Sequence, residues 1–244
     1  FGYIEPASMK LPPQGVRWLT TLRWWACLNV FLVVLLTSSV LGILPNPGPL
    51  YMVTLAMAGY NLLFEIYERR YPGGNGSADR LIFLQILLDL VSLTLLLYFS
   101  DISRNPFIVY FVFHMIIAGM YLRGMAPYFF AAMCTVMVGL VMILEYAQWI
   151  PSHPLRFASE GSPRPLDGLY LLGVFVSFAS SLWIAVYFTT SIRRYVDRAH
   201  AEIRQKEKIL GIGQLVAGIA HQIANPLDGV QNCLQRVGER VKGD

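Results

Sequence analysis

The stretch WWACLNVFLVVLLTSSVLGIL, residues 24–44, runs 21 residues without a charged side chain. At about 1.5 Å of rise per residue, a helix of that length crosses the roughly 30 Å hydrocarbon core of a bilayer. It is longer than the apolar part of a secretory leader and has no small-residue cleavage site, so it reads as a retained span. Five further apolar segments follow, at residues 49–67, 81–100, 106–122, 127–150 and 168–191, joined by short connections. With 55% hydrophobic and 14% charged residues in 244, the chain is too apolar for a soluble domain of this size. The expected fold is all-α: a six-helix transmembrane bundle of antiparallel neighbours.

Basic residues set the orientation. Lys10, Arg17 and Arg23 precede the first span, Arg69, Arg70 and Arg80 lie between the second and third, Arg123 follows the fourth, and Arg193, Arg194 and Arg198 follow the sixth. The alternate loops hold only Arg104, Arg156 and Arg164. Both termini are therefore expected in the cytoplasm. The net charge of +4 is spread in this topological pattern and gives no footprint for nucleic acid. Trp18, Trp24, Trp25 and Trp149 fall near the expected interfaces. Cys27, Cys134 and Cys233 are too far apart for a disulfide framework or a metal site.

Polar groups inside the spans need a reason. Asp89 lies eight residues into the third span and His114 eight residues from the end of the fourth, both at roughly 12 Å depth by helix rise. The two are expected to face one another, with Asn61 at similar depth. One reading is a buried polar clasp that fixes helix packing. The other is a protonatable site for a lipid-soluble ligand. Glu65 and Glu145, near span ends, are expected to snorkel to the interface. Asn105 is placed to cap a helix opened by Pro106.

Beyond residue 191 the chain changes character. Ile192, Val196, Ala199, Ile203 and Leu210 recur in alternating steps of four and three, with Lys206 in the interrupted position and charged residues between. This is a heptad pattern, which predicts a parallel coiled coil continuing the sixth span; a single amphipathic helix on the inner leaflet is the other reading. Gly211 and Gly213 are the weak points of such a rod. From Val216, a second apolar seam continues through Ile219, Ile223, Leu227, Val230 and Leu234. His221 is off that seam, roughly 200° from Ile219 and Ile223 around a helix of about 3.6 residues per turn, so it is expected to face water. Pro226 is expected to bend or loosen the helix just after it.

The segment Gly-Ile-Ala-His-Gln-Ile-Ala-Asn-Pro-Leu, residues 218–227, resembles the H-box of bacterial sensor histidine kinases. The resemblance implies that His221 accepts the γ-phosphoryl group of ATP bound with Mg2+ by a separate domain. It also implies that Asn225, Pro226 and Leu227 complete the motif, that the chain dimerises through a four-helix bundle, and that phosphoryl passes to a response regulator. The family usually has Glu or Asp after the histidine; here Gln222 can orient the imidazole but cannot take its proton at neutral pH.

A second resemblance covers the third and fourth spans. Asp89, the loop Asp-Ile-Ser-Arg-Asn-Pro-Phe at 101–107, and Phe113-His114 are similar to the membrane domain of RegB-type redox sensor kinases. Asn105, Pro106 and Phe107 match that family's loop, whereas its two glycines are replaced by Asp101 and Ile102. The resemblance implies quinone sensing, with Asp89, Asn105, Pro106, Phe107 and His114 as ligand-binding residues.

The expected organisation is a cytoplasmic segment 1–23, a six-span sensor domain 24–191, a coiled-coil linker 192–213, and the first helix of a dimerisation and histidine phosphotransfer domain at 214–244. No nucleotide-binding box occurs, and Gly73-Gly74-Asn75-Gly76 reads as a turn, not a phosphate cradle. Because the chain starts at Phe1 and stops inside a helical pattern, the second bundle helix and the ATP-binding domain are expected beyond Asp244. The expected function is that of a homodimeric sensor histidine kinase of the bacterial inner membrane. The alternatives are a transporter or channel with a coiled-coil tail, for which spans five and six offer almost no polar pathway, and a non-catalytic membrane scaffold.

Overall fold

The computed structural model describes residues 13–70, 77–156 and 167–241. Within these, side chains are described from Thr20, from Arg80, and, beyond Gly213, at Val216, Ile219 and Pro226. The expectations for Lys10, the turn at 73–76 and Arg164 lie outside the described residues, as do those for the side chains of Arg17, Trp18, Cys233 and of the seam beyond Ile219.

Among the described residues the chain is all helical, with no strand. The helices are α1 (Pro13–Leu35), α2 (Gly48–Arg70), α3 (Ser77–Tyr98), α4 (Tyr110–Tyr121), α5 (Ala126–Tyr146) and α6 (Gly168–Val241). Five helices are long and apolar enough to cross a membrane, over Thr20–Val40, Gly48–Arg70, Arg80–Tyr98, Ala126–Tyr146 and Gly168–Gly213. Large apolar side chains such as Met52, Leu55, Val136, Ile143 and Ile184 stand exposed on them, as suits contact with lipid. The protein is thus a membrane protein by the length and composition of these helices.

The fourth segment departs from expectation: Pro106–Tyr121 is shorter than the other five. It opens with a 3-10 turn at Pro106–Val109 before α4 proper begins. Asn105 caps that turn, its side-chain oxygen accepting from the Phe107 amide at 2.9 Å, and Pro106 occupies the first turn, where its missing N–H is no loss. The end of the first span is irregular as well. Thr37 Oγ1 donates to the Val33 carbonyl at 2.7 Å, and the backbone widens into a π-helical turn at Leu36–Val40, where the Leu41 amide reaches the Leu36 carbonyl.

The chain divides into two units, residues 1–190 and 191–244. In the first, ring contacts and hydrogen bonds give the helix directions. Thr20 of α1 donates to Glu68 of α2, and Trp24 Nε1 to Glu65 at 2.9 Å, so α1 and α2 are antiparallel. Phe83 packs on Phe129 and Phe130 at the starts of α3 and α5, while Tyr98 at the end of α3 donates to the Pro151 carbonyl beyond the end of α5. Helices α3 and α5 therefore run parallel, and α4 must return the chain between them. Phe111 meets Phe178, and Gly119 lies against Thr189, so α4 and α6 run in the same direction. Arg69, Arg70, Arg80 and Arg123 are gathered at one end of this unit; Arg104 and Arg156 sit at the other.

Two apolar clusters hold the unit together. The larger joins α3, α4, α5 and the start of α6 around Leu90, Phe111, Met115, Phe130, Val138 and Leu182. The smaller joins α1 and α2 to Leu96 through Cys27, Val34, Leu44, Leu50 and Met57. In lipid, association depends on close packing, and two glycines permit it. A Cβ at Gly119 would lie 2.9 Å from Thr189 Cγ2, and one at Gly139 would lie 2.7 Å from Phe175 Cε2.

The second unit is the continuation of α6. The helix runs without interruption through Gly211, Gly213 and Pro226 to Val241, so the expected segment boundary at 213/214 has no break in the backbone. A glycine costs only about 1 kcal/mol in a helix interior, within what the flanking turns supply.

Candidate functional site

A cavity of about 390 Å³ in the membrane unit is walled by α1, α2, α3 and the α4 segment. All five residues singled out from the sequence for the membrane, Asp89, Asn105, Pro106, Phe107 and His114, line it. The rest of the wall is mostly aliphatic, with a few polar groups.

The pairing expected between Asp89 and His114 does not form. Asp89 Oδ2 instead accepts from Arg23, at 3.0 Å from Nε and 2.9 Å from Nη2, and its Oδ1 accepts from the Tyr60 hydroxyl at 2.7 Å. The His114 Nδ1 is 2.8 Å from the carbonyl of Tyr110, one turn earlier on its own helix. The physical reason is charge. A carboxylate in a low-dielectric interior is best compensated by a full positive charge in a forked geometry, and Arg23, within the apolar part of α1, reaches it. Side-chain exposures of 11% and 14% put this pair largely out of water. Sequence reading assigned Arg23 to topology and overlooked Tyr60. The available signal was Asp89 itself, since an uncompensated intramembrane carboxylate calls for a cation at its own depth.

Asn61, next to Tyr60 on α2, is fully buried and lines the same cavity. Among the described residues, neither its Nδ2 nor its Oδ1 has a hydrogen-bond partner, and neither has Arg23 Nη1. By contrast the loop amide of Asn105 is fully engaged. Its Nδ2 donates to the Ser100 carbonyl at 3.0 Å and to Ser100 Oγ at 2.7 Å, while its oxygen holds the Phe107 amide. The loop residues close the cavity with side chains whose polar atoms are already used.

Two further carboxylates were placed by sequence at the interface. Glu65 fits in part, accepting from Trp24 and paired with Arg69 one turn on. Glu145 does not: it is buried, and its Oε1 has no hydrogen-bond partner among the described residues. The connection after α5 folds back over the bundle, with Tyr98 bonded to Pro151 and the Arg156 amide to the Ile43 carbonyl, so the end of the helix is covered. Nearby Asp101, between α3 and α4, takes a left-handed φ of 64°. Burial holds its carboxyl above the usual value, and Arg104 opposes that shift.

His221, Gln222, Asn225 and Pro226 lie on α6. The side chains of the first three are outside the described residues; Pro226 is exposed. On the described part of the second unit, Ile192, Val196, Ile203 and Leu210 of the heptad stripe are exposed, and so are Val216 and Ile219 of the second seam. Among the described residues no group of three or more histidines, cysteines or acids is placed to hold a metal. Cys27 and Cys134 are buried free thiols.

No family model matches the chain, and neither a curated protein nor a solved structure matches it.

Proposed function

We propose that the chain is the input and phosphoacceptor part of a homodimeric sensor histidine kinase in a bacterial plasma membrane. In this reading α4 counts as a sixth crossing, and the arginine-rich end of the membrane unit faces the cytoplasm. The observation that carries it is the motif His221-Gln222 with Asn225-Pro226-Leu227 on a helix continuous with the last apolar span. The uncovered stripe from Ile192 to Leu210 supports dimerisation, because an apolar seam at heptad spacing in water buries itself against a second copy. His221 would attack the γ-phosphate of Mg2+-bound ATP held by a catalytic domain outside this chain, forming a nitrogen–phosphorus bond as ADP leaves. The phosphoryl group would then move to an aspartate of a response regulator.

The test is phosphate transfer in the protein joined to its ATP-binding domain. Wild type should gain acid-labile phosphate from ATP, and His221→Gln should gain none. Labelling of the variant at the wild-type rate overturns the proposal.

A further inference from the structure

We propose that the cavity between α1, α2, α3 and α4 binds a neutral lipid with a hydroxyl head group and a long apolar tail. The inference rests on the cavity alone and holds whether or not the helix beyond it carries a phosphohistidine. The head group follows from what the polar layer lacks. In that layer Asp89 is satisfied by Arg23 and Tyr60, and the Tyr60 hydroxyl is donated to it. Among the described residues lining the cavity, three buried atoms are left over: Arg23 Nη1 and Asn61 Nδ2, both donors, and Asn61 Oδ1, an acceptor. Buried polar atoms without partners are uncommon and costly, so the layer is incomplete as it stands. A hydroxyl supplies one donor and two acceptor lone pairs, the complement of that set. A carbonyl would leave Asn61 Oδ1 unanswered.

The charge of the ligand follows from the ion pair. Because Asp89 already neutralises Arg23, a carboxylate or an ammonium would enter the bilayer interior with no counter-charge, at a large desolvation cost. A neutral group carries no such cost. The tail follows from the remaining wall, where Val34, Leu50, Met57, Leu93 and Leu97 leave a volume of about 390 Å³, in the range of small-molecule sites. A single water could answer the three atoms, but it would leave the apolar volume beyond them unfilled.

The test uses the intact chain in nanodiscs of saturated phosphatidylcholine, with a dodecan-1-ol probe carrying a diazirine and a terminal alkyne. After irradiation, labelled peptides are mapped by mass spectrometry. Labelling should concentrate on cavity-facing positions of α1, α2 and α3. Unlabelled dodecan-1-ol should compete about tenfold better than dodecane, dodecanoate or dodecyltrimethylammonium, a preference equal to one or two hydrogen bonds. Asn61→Leu, of similar volume, should lose most of that preference while still admitting dodecane. Labelling spread over lipid-facing residues such as Met52 and Leu55, or equal competition by all four compounds, overturns the proposal. So does an unchanged preference in Asn61→Leu. If that variant fails to remain monodisperse, the competition series on wild type decides.

Discussion

Arg23 and Asp89 join α1 to α3, and each can be replaced by leucine alone or together. The pair has a 2.9 Å Nη2–Oδ2 contact and a 3.0 Å bond from Nε, with side chains 11% and 14% exposed, so solvent screens it little. Removing one partner of such a pair leaves the other charge buried without compensation, which costs about 3–5 kcal/mol. A lone carboxylate near the centre of a transmembrane helix costs about 2.5–3.5 kcal/mol on insertion scales, a figure of the same size. The double variant Arg23→Leu/Asp89→Leu contains neither charge. Its expected loss is that of the Tyr60 hydroxyl left without its acceptor, about 1–3 kcal/mol. The double variant should therefore be more stable than either single one, reversing additivity. Equilibrium unfolding of the full chain in mixed micelles, titrated with dodecyl sulfate and followed by helical circular dichroism, measures all four proteins. The exposed pair of Arg69 with Glu65 is the internal comparison, and Glu65→Gln should cost under about 1 kcal/mol. Single losses below about 1 kcal/mol at Arg23 and Asp89 that simply add in the double variant would refute the argument.

Three other outcomes are expected. In the proposed kinase, Gln222→Glu restores a group that can take the imidazole proton, and phosphate incorporation at His221 should rise by roughly 10²-fold; an unchanged rate means the proton leaves by another path. Gly119→Ala should lower the melting temperature, by a loss of about 1–3 kcal/mol, since the new methyl meets Thr189 Cγ2 at 2.9 Å and Thr189 Cβ at 3.0 Å, and a β-branched side chain cannot swing aside. Asp101 is protonated more readily in the folded chain than in the unfolded one, because burial raises its pKa. Stability should thus be greatest in acid and fall as pH rises through the elevated pKa. Asp101→Asn, which tolerates the same left-handed backbone, should remove this fall of the melting temperature above the ordinary carboxyl range.

The spans were legible because water-exposed helices do not sustain apolar runs of about twenty residues, whereas residues 24–44, 81–100 and 127–150 each hold at most one charged side chain. That polar residues of different spans share a site was legible too: Asp89, His114 and Asn61 line one cavity. What the sequence does not carry is azimuth. Two polar residues at equal depth on adjacent helices can face each other or a third helix, and only the packing of α1 and α2 brings Arg23 and Tyr60 to Asp89 in place of His114. Glu145 shows the matching limit at span ends. A count of residues assumes that the helix leaves straight into the head groups, whereas residues 147–156 turn back across the bundle end and cover it.

The short fourth helix gives these parts a common mechanical element. His114 and Tyr110 of α4 line the cavity, and on another face of the same helix Phe111 meets Phe178 while Gly119 meets Thr189 of α6. Three residues separate His114 from Phe111, less than one turn, so a movement of α4 that opens or fills the cavity also moves the ring set against α6. Its 3-10 start, capped by Asn105 and tied to Ser100, fixes one end of the helix. The Gly119 end is closely packed, with no α4 side chain between the helix and Thr189. A signal that begins in the cavity and reaches α6 by this route depends on that contact being close, which is why a single methyl group at Gly119 should impair coupling as well as stability.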